Sequence, residues 1–205
     1  MEATTTVRHG TLSDRSLAAV VAGLLAGLLA WPTAGSAQTL TGQASAATAV
    51  VLGNVTSLVD TGTLTDPSDP LGGGLPLGGI DGLLTAESLH AVTMGWTDQV
   101  ASESSLSNLV MSVAGTVVSA DFLQSRALAV SDAGATGLTS IEELTIGGVP
   151  VSASGVPNQL VSLPGLSVIL NEQIQSASGI VVNAVHVRTL DGLTDVVLGS
   201  AKAGI

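Results

Sequence analysis

The sequence predicts a mainly β protein, a single strand-rich domain of β-sandwich or β-solenoid-like form behind an N-terminal signal-peptide helix. Three observations carry that expectation. Short runs rich in Val, Leu, Thr and Ser alternate with Gly, Asn, Asp and Pro, the pattern of strands bounded by turns. Aromatic residues are nearly absent, with 2 Trp, 1 Phe and no Tyr, so the core must be built from aliphatic side chains. There is no cysteine, which removes disulfides and thiolate metal sites and leaves burial and backbone pairing to hold the fold.

At the N-terminus, Arg8 and Arg15 precede an uncharged apolar run over residues 17–30, the layout of a secretory signal. The run is shorter than the roughly 20 apolar residues that cross a bilayer. Trp31-Pro32 ends it, and Thr33-Ala34-Gly35-Ser36-Ala37 supplies the small side chains a signal peptidase accepts. Cleavage is expected between Ala37 and Gln38, giving a signal peptide at 1–37 and one β-rich domain at 38–205. An uncleaved N-terminal anchor is the competing reading. No second apolar stretch of spanning length follows, so no stable membrane span is expected after processing.

Strands are expected around residues 46–52, 109–118, 127–130, 144–151, 160–170 and 179–187. The last is the clearest. Its even and odd positions are both mainly apolar, interrupted by Asn183 and His186, which suggests a strand covered on both faces. Residues 195–199 read as its partner after a turn at Asp191-Gly192. The stretch 66–79, rich in Gly and Pro, reads as a surface loop that holds neither a helix nor a central strand. One or two helical turns fit residues 85–92, with Thr85 as cap and Leu84, Leu89 and Val92 on one face. Residues 83–89 resemble 117–123, and 105–111 resemble 140–146. A period near 35 is a solenoid signal, although a sandwich whose strands share composition accounts for it equally.

The formal net charge is -11, and the only strong cations beyond residue 37 are Arg126, Arg188 and Lys202. So few cations exclude nucleic acid as a partner, since phosphate binding needs clustered Lys and Arg. A mean hydropathy of +0.57 argues against disorder. The poverty of aromatics removes the stacking platforms on which sugar binding commonly relies.

The search for chemistry yields no catalytic, cofactor-binding or metal-ligating set. His186 lies in an apolar strand with no neighbouring carboxylate and reads as a structural histidine; His90 follows Glu87 by three residues, which could pair on a helix, but matches no metal signature. Val151-Ser152-Ala153-Ser154-Gly155 lacks the first glycine of a nucleophile elbow. Glu142-Glu143 and Asp191 with Asp195 are acidic pairs, better suited to solvated turns than to glycoside hydrolysis. Asp66, Asp69 and the single Gly78-Gly79-Ile80-Asp81-Gly82 element offer only scattered oxygen ligands for calcium. The steps Thr39-x-Thr41 and Thr61-x-Thr63-x-Thr65 read as exposed strand edges. No glycine-rich stretch is followed by the Lys-Ser/Thr of a phosphate loop.

One familiar run closes the chain. Ile146-Gly147-Gly148-Val149-Pro150-Val151, Val156-Pro157-Asn158-Gln159, Leu163-Pro164-Gly165, Val168-Ile169-Leu170-Asn171-Glu172-Gln173, Val181-Val182-Asn183-Ala184-Val185-His186-Val187 and Asp195-Val196-Val197-Leu198-Gly199-Ser200-Ala201 follow in order. This run, with the upstream Asp81-Gly82-Leu83-Leu84-Thr85-Ala86, resembles the choice-of-anchor P family of exported bacterial proteins. The resemblance implies export and carries no catalytic residues. Unlike many of that family, this sequence has no cysteine near its last strand, and no sorting motif or apolar tail precedes Ile205. The expectation is a secreted, non-enzymatic structural or interaction component, released or held non-covalently by other cell-surface components. A secreted hydrolase using scattered carboxylates and a calcium-dependent adhesive module are the alternatives.

Overall fold

Residues 39–67 and 70–205 are described by the computed structural model, and every regular element among them is a strand. In chain order these are β1 (Thr41–Val51), β2 (Asn54–Asp60), β3 (Leu71–Ile80), β4 (Leu84–Gly95), β5 (Gln99–Val113), β6 (Thr116–Val130) and β7 (Gly134–Glu142). There follow β8 (Thr145–Ile146), β9 (Val149–Pro150), β10 (Gln159–Leu163), β11 (Leu166–Ser176), β12 (Gly179–Thr189) and β13 (Thr194–Gly204). They form two antiparallel sheets. The first runs β10-β11-β12-β13-β1-β2; the second runs β3-β4-β5-β6, with β7 and then the β8-β9 hairpin along the far side of β6. The two sheets face each other as a β-sandwich, which decides between the two forms the sequence left open. The proposed cleavage point between Ala37 and Gln38 lies outside the described residues, as does the signal helix.

Each long strand changes the face it buries halfway along. In β5 the buried positions are Val100, Ser102, Ser104 and Leu106, then Leu109, Met111 and Val113. In β12 the core-facing positions are Ile180, Val182 and Ala184, then Val185 and Val187; β13 repeats the pattern with Val196 and Leu198, then Ala201 and Ala203. In β2, β4, β5, β11 and β13 a residue of positive φ stands at the change of face, and it accounts for the one-residue slip there. In the first sheet those positions line up across neighbouring strands. Val59 and Asn171 have φ of 52° and 51°, and Gly199 has φ of 60°. Each lies opposite a gap in the pairing, beside Ala46 in β1 or Ala184 in β12. The second sheet has a matching line through Ser88, Asn108 and Glu143, with φ of 48°, 46° and 48°. At Glu143 the distortion separates β7 from β8, although both keep one register against β6.

These two creases divide the interior. One apolar cluster includes Leu89, Leu106, Leu109, Met111, Leu123, Leu170, Val185 and Leu198. A smaller one holds Leu40, Leu64, Val100, Ile180 and Val182. Small residues lie near the boundary: Ser104 and Ser125 share a 3.1 Å hydrogen bond, and a Cβ on Gly199 would stand 3.2 Å from that of Ala184 and 3.7 Å from Ser104 Oγ. A direct bond also links the sheets, from Ser102 Oγ to the Lys202 carbonyl at 2.6 Å. Each fully buried Leu or Val contributes about 1.5–3 kcal/mol, so the many aliphatic side chains replace the aromatics this core lacks.

Sheet edges are covered by side chains and by proximity. Gln173 Nε2 donates to the Gly137 carbonyl at 3.2 Å, and Gln175 Nε2 to that of Ala135 at 3.4 Å. Both acceptors belong to the edge strand β7, so side chains from the opposite sheet occupy groups that would otherwise template another strand. On the other side β2 and β3 lie together, with Val59 and Leu58 resting where Gly73 and Gly78 leave room.

Several sequence expectations need correction. Residues 85–92 are not helical but part of β4, because cross-strand pairing on both sides outweighs one apolar face. The segment 66–79 is not all loop. Leu71–Ile80 is strand β3, and it tolerates Pro76 because it sits at the sheet edge. Residues 109–118, 144–151 and 160–170 are hairpins rather than single strands, turning at Ala114-Gly115, Gly147-Gly148 and Pro164-Gly165. Strand β12 is buried on both faces over residues 182–187, and the slip at Ala184-Val185 exchanges which of its residues face the core. The repeat near 35 residues joins β4 to β6 and β5 to β7, alternate strands of one meander, and superposes the left-handed Asn108 on Glu143.

Substituting Gly199 tests the crease. Gly199→Val puts a β-branched side chain at a left-handed position against Ala184, with an expected cost of about 2–4 kcal/mol. Gly199→Asn, which tolerates that conformation, should lose less. Urea denaturation of both variants checks the order, and equal losses would refute the conformational explanation.

Candidate functional site

The outer face of the first sheet, turned away from the second, carries polar side chains in register. Glu172, Asn183, Ser200, Ser45 and Asp60 stand on five successive strands, β11, β12, β13, β1 and β2, as directly opposed partners. The crease places this row there. Leu170 points into the core, so uninterrupted alternation would send Glu172 inward as well; the twist at Asn171 turns it out. The slip at Ala184-Val185 likewise turns His186 away from the core that Val185 and Val187 enter.

His186 joins two carboxylates from its neighbouring strands. Its Nδ1 lies 2.6 Å from Glu172 Oε2, and its Nε2 lies 2.8 Å from Asp195 Oδ1. Asn183 Nδ2 donates to the same Glu172 oxygen at 2.6 Å, and Arg188 Nε donates to Asp195 Oδ2 at 3.0 Å. The side chains of His186 and Glu172 are 5% and 9% exposed, whereas that of Asp195 is 39% exposed. A carboxylate at each ring nitrogen favours the protonated imidazole. Arg188 Nε and Nη2 approach the two ring nitrogens at 3.0 and 3.5 Å. The Arg188 Nε–H is thus shared between His186 Nε2 and Asp195 Oδ2, and the two carboxylates balance the nearby positive charge.

Burial alone would raise the Glu172 carboxyl; hydrogen bonds from His186 and Asn183 and the charges of His186 and Arg188 outweigh it, leaving the group below its ordinary 4.5. Burial would likewise depress His186, but the bonds and charges of Glu172 and Asp195 raise it above the ordinary 6.5. Asp191 is not part of this cluster. It sits in the exposed β12–β13 turn, lowered by a hydrogen bond from Thr189 and by the Leu193 N–H.

Beside the cluster the same face forms a hollow of about 330 Å³. Gln43, Ser45, Thr48, Ser57, Asp60, Asn183, Ser200 and Lys202 line it, over a floor including Val181 and Val197. Hydrogen bonds fix part of the wall: Gln43 Nε2 to Asp60 Oδ1 at 3.1 Å, Ser45 Oγ with Thr48 Oγ1 at 3.2 Å, and Thr48 Oγ1 with Ser57 Oγ at 3.1 Å.

The structure brings together only part of what the sequence singled out. His186 and Asp195 meet, which corrects the expectation that no carboxylate neighbours this histidine; the neighbours lie on adjacent strands, invisible along the chain. His90 stands exposed on β4, while Glu87 receives a bond from Asn108 instead. Glu142 ends β7 and Glu143 is the twisted residue after it. Asp81 belongs to the β3–β4 turn, Asp66 to the connection between β2 and β3, and Asp69 lies outside the described residues. Among the described residues no set of three or more His, Asp or Glu side chains is placed to hold a metal ion. Glu172, Arg188 and Asn183 escaped sequence reasoning as site residues. The signal available was the pair of polar interruptions, Asn183 and His186, in an otherwise apolar strand. No known protein family, curated protein or solved structure matches this chain.

The cluster sets a pH window. A raised His186 stabilises fully below 6.5 and loses its contribution as pH climbs through its folded value. A lowered Glu172 stabilises above 4.5 and loses its contribution as pH falls through its folded value. Thermal denaturation should therefore show this contribution complete between 4.5 and 6.5, and His186→Gln should flatten the alkaline decline. An unchanged alkaline slope would refute the assignment. Glu172→Ala leaves the imidazolium and the Asn183 amide without their shared acceptor, at a cost on the order of 3 kcal/mol measured in urea.

Proposed function

We propose that this protein is exported and acts as a non-enzymatic structural or interaction component at the cell envelope. The observation that carries this reading is the state of His186. Both ring nitrogens are bonded to carboxylates, at 2.6 and 2.8 Å, so neither is left to take a proton from a substrate or a nucleophile. The cluster does not line the neighbouring hollow; of its members only Asn183 does. A chain of two covered sheets with a polar, in-register outer face suits contact through surface complementarity. The basic and apolar layout of residues 1–37 and the resemblance to choice-of-anchor P proteins support export.

A secreted hydrolase is the second reading, favoured by one observation: a histidine between two carboxylates is a familiar acid–base arrangement. Against it, the carboxylates occupy opposite ring nitrogens, and no serine or threonine hydroxyl bonds to the imidazole among the described residues.

Cell fractionation with mass spectrometry of the mature N-terminus tests the proposal. The expected result is a chain beginning at Gln38, recovered with the envelope and released by high salt or mild detergent. Recovery wholly in the medium would overturn the envelope role, and recovery of the intact N-terminus in the cytoplasm would overturn export. His186→Gln should leave envelope retention intact.

A further inference from the structure

We propose that the β10 edge of the first sheet is a self-association site, where a second copy of this chain adds its own β10 in antiparallel pairing. The first observation is which backbone groups that edge leaves open. The β10–β11 hairpin closes on the pair Leu163 and Leu166 across Pro164-Gly165, with Gly165 at a φ of 77°. From that bonded pair the ladder alternates. Val161 and Gln159 turn their N–H and C=O groups toward β11, while Leu160 and Ser162 turn theirs away from it. Both residues are exposed, and among the described residues nothing bonds to those outward groups.

The other edges are guarded. Strands β2 and β3 lie against each other, and Gln173 and Gln175 occupy carbonyls of β7. Strand β9 is two residues long and includes Pro150, which has no N–H to give. An edge strand that stands alone is commonly protected by a charge. Strand β10 has none.

The second observation says which partner fits. From Leu144 to Asn171 the chain carries no charged residue, in a molecule of net charge -11. Copies of so acidic a chain repel one another where carboxylates meet, and this stretch is where they can approach. Around the open edge Val149, Val156 and Leu160 are 62%, 63% and 60% exposed, large apolar side chains of the kind an interface covers.

The edge is also complementary to itself. A two-fold axis through Val161 sets Leu160 of one copy opposite Ser162 of the other, and the reverse. Each outward N–H then meets an outward C=O, and the two Leu160 side chains become diagonal neighbours on one face, each beside its own Ile169. Such an isologous contact uses up both edges and closes at the dimer, joining two six-stranded sheets into one. Because the edge is short, a Kd on the order of 100 µM is expected. The site goes beyond the envelope reading and does not depend on it.

Sedimentation equilibrium of the full chain from about 10 µM to about 1 mM, a range that brackets this Kd, tests the proposal together with amide-resolved hydrogen exchange. A monomer–dimer equilibrium is expected, with exchange at Leu160 and Ser162 slowing as the dimer fills. Ser162→Pro removes an outward N–H without touching a bond to β11, and Leu160→Lys brings like charges together at the axis. Each should weaken the dimer about tenfold or more, while urea unfolding shows the fold retained. Should Ser162→Pro fail to fold, Leu160→Lys alone decides. A chain that stays monomeric throughout, a dimer that Leu160→Lys leaves unchanged, or association without slowed exchange at these two amides would overturn the proposal.

Discussion

Two lines of twisted residues, one across each sheet, govern the rest of this structure. A β-strand presents alternate residues to opposite faces, and one residue in the left-handed or bulged conformation reverses that assignment for everything beyond it. Here the reversal occurs at corresponding places in neighbouring strands, through Val59, Gly199 and Asn171 in one sheet and through Ser88, Asn108 and Glu143 in the other. A slip in one strand alone would set its apolar half against solvent. Made together, the slips preserve pairing on both sides and keep both halves of every long strand packed inward. The core then divides into two aliphatic clusters.

The same geometry puts charge on the outside. Glu172 and His186 follow core residues at a spacing that would bury them between the sheets, where a charged pair is costly even when well bonded. The creases at Asn171 and Ala184-Val185 move them to the outer face, where Asp195 and Arg188 complete the set. Structure and chemistry are coupled at this point: the residues that shape the fold also decide which side chains share a surface.

The strand content, the aliphatic core and the pairing of β12 with β13 were legible in the sequence because each rests on composition and local turns. The creases were not. Their left-handed residues include Val59, Ser88 and Glu143, types with no strong preference for that conformation, so tertiary packing rather than local propensity puts them there. The period near 35, open in sequence between solenoid and sandwich, arises from alternate strands of one meander. The Gly/Pro stretch misled for a different reason, since an edge strand needs only one row of pairing and accommodates Pro76. For the site, Asn183 and His186 showed in sequence as interruptions of an apolar run, but Glu172 lies 14 residues from His186 and Asp195 lies 9 residues from it on the other side. Only the register of three strands brings them together.

The creases also bear on how such a chain can change over generations. A single-residue insertion or deletion in one strand ordinarily costs one local bulge. Here it would move that strand's reversal out of line with those beside it and turn half its apolar residues outward. Length changes inside β1, β11, β12 or β13 must therefore be compensated within the same strand or matched across the sheet, whereas the hairpin tips carry no such restriction. Drift in this fold should accordingly gather at the tips and leave the spacing from turn to crease in each strand unaltered.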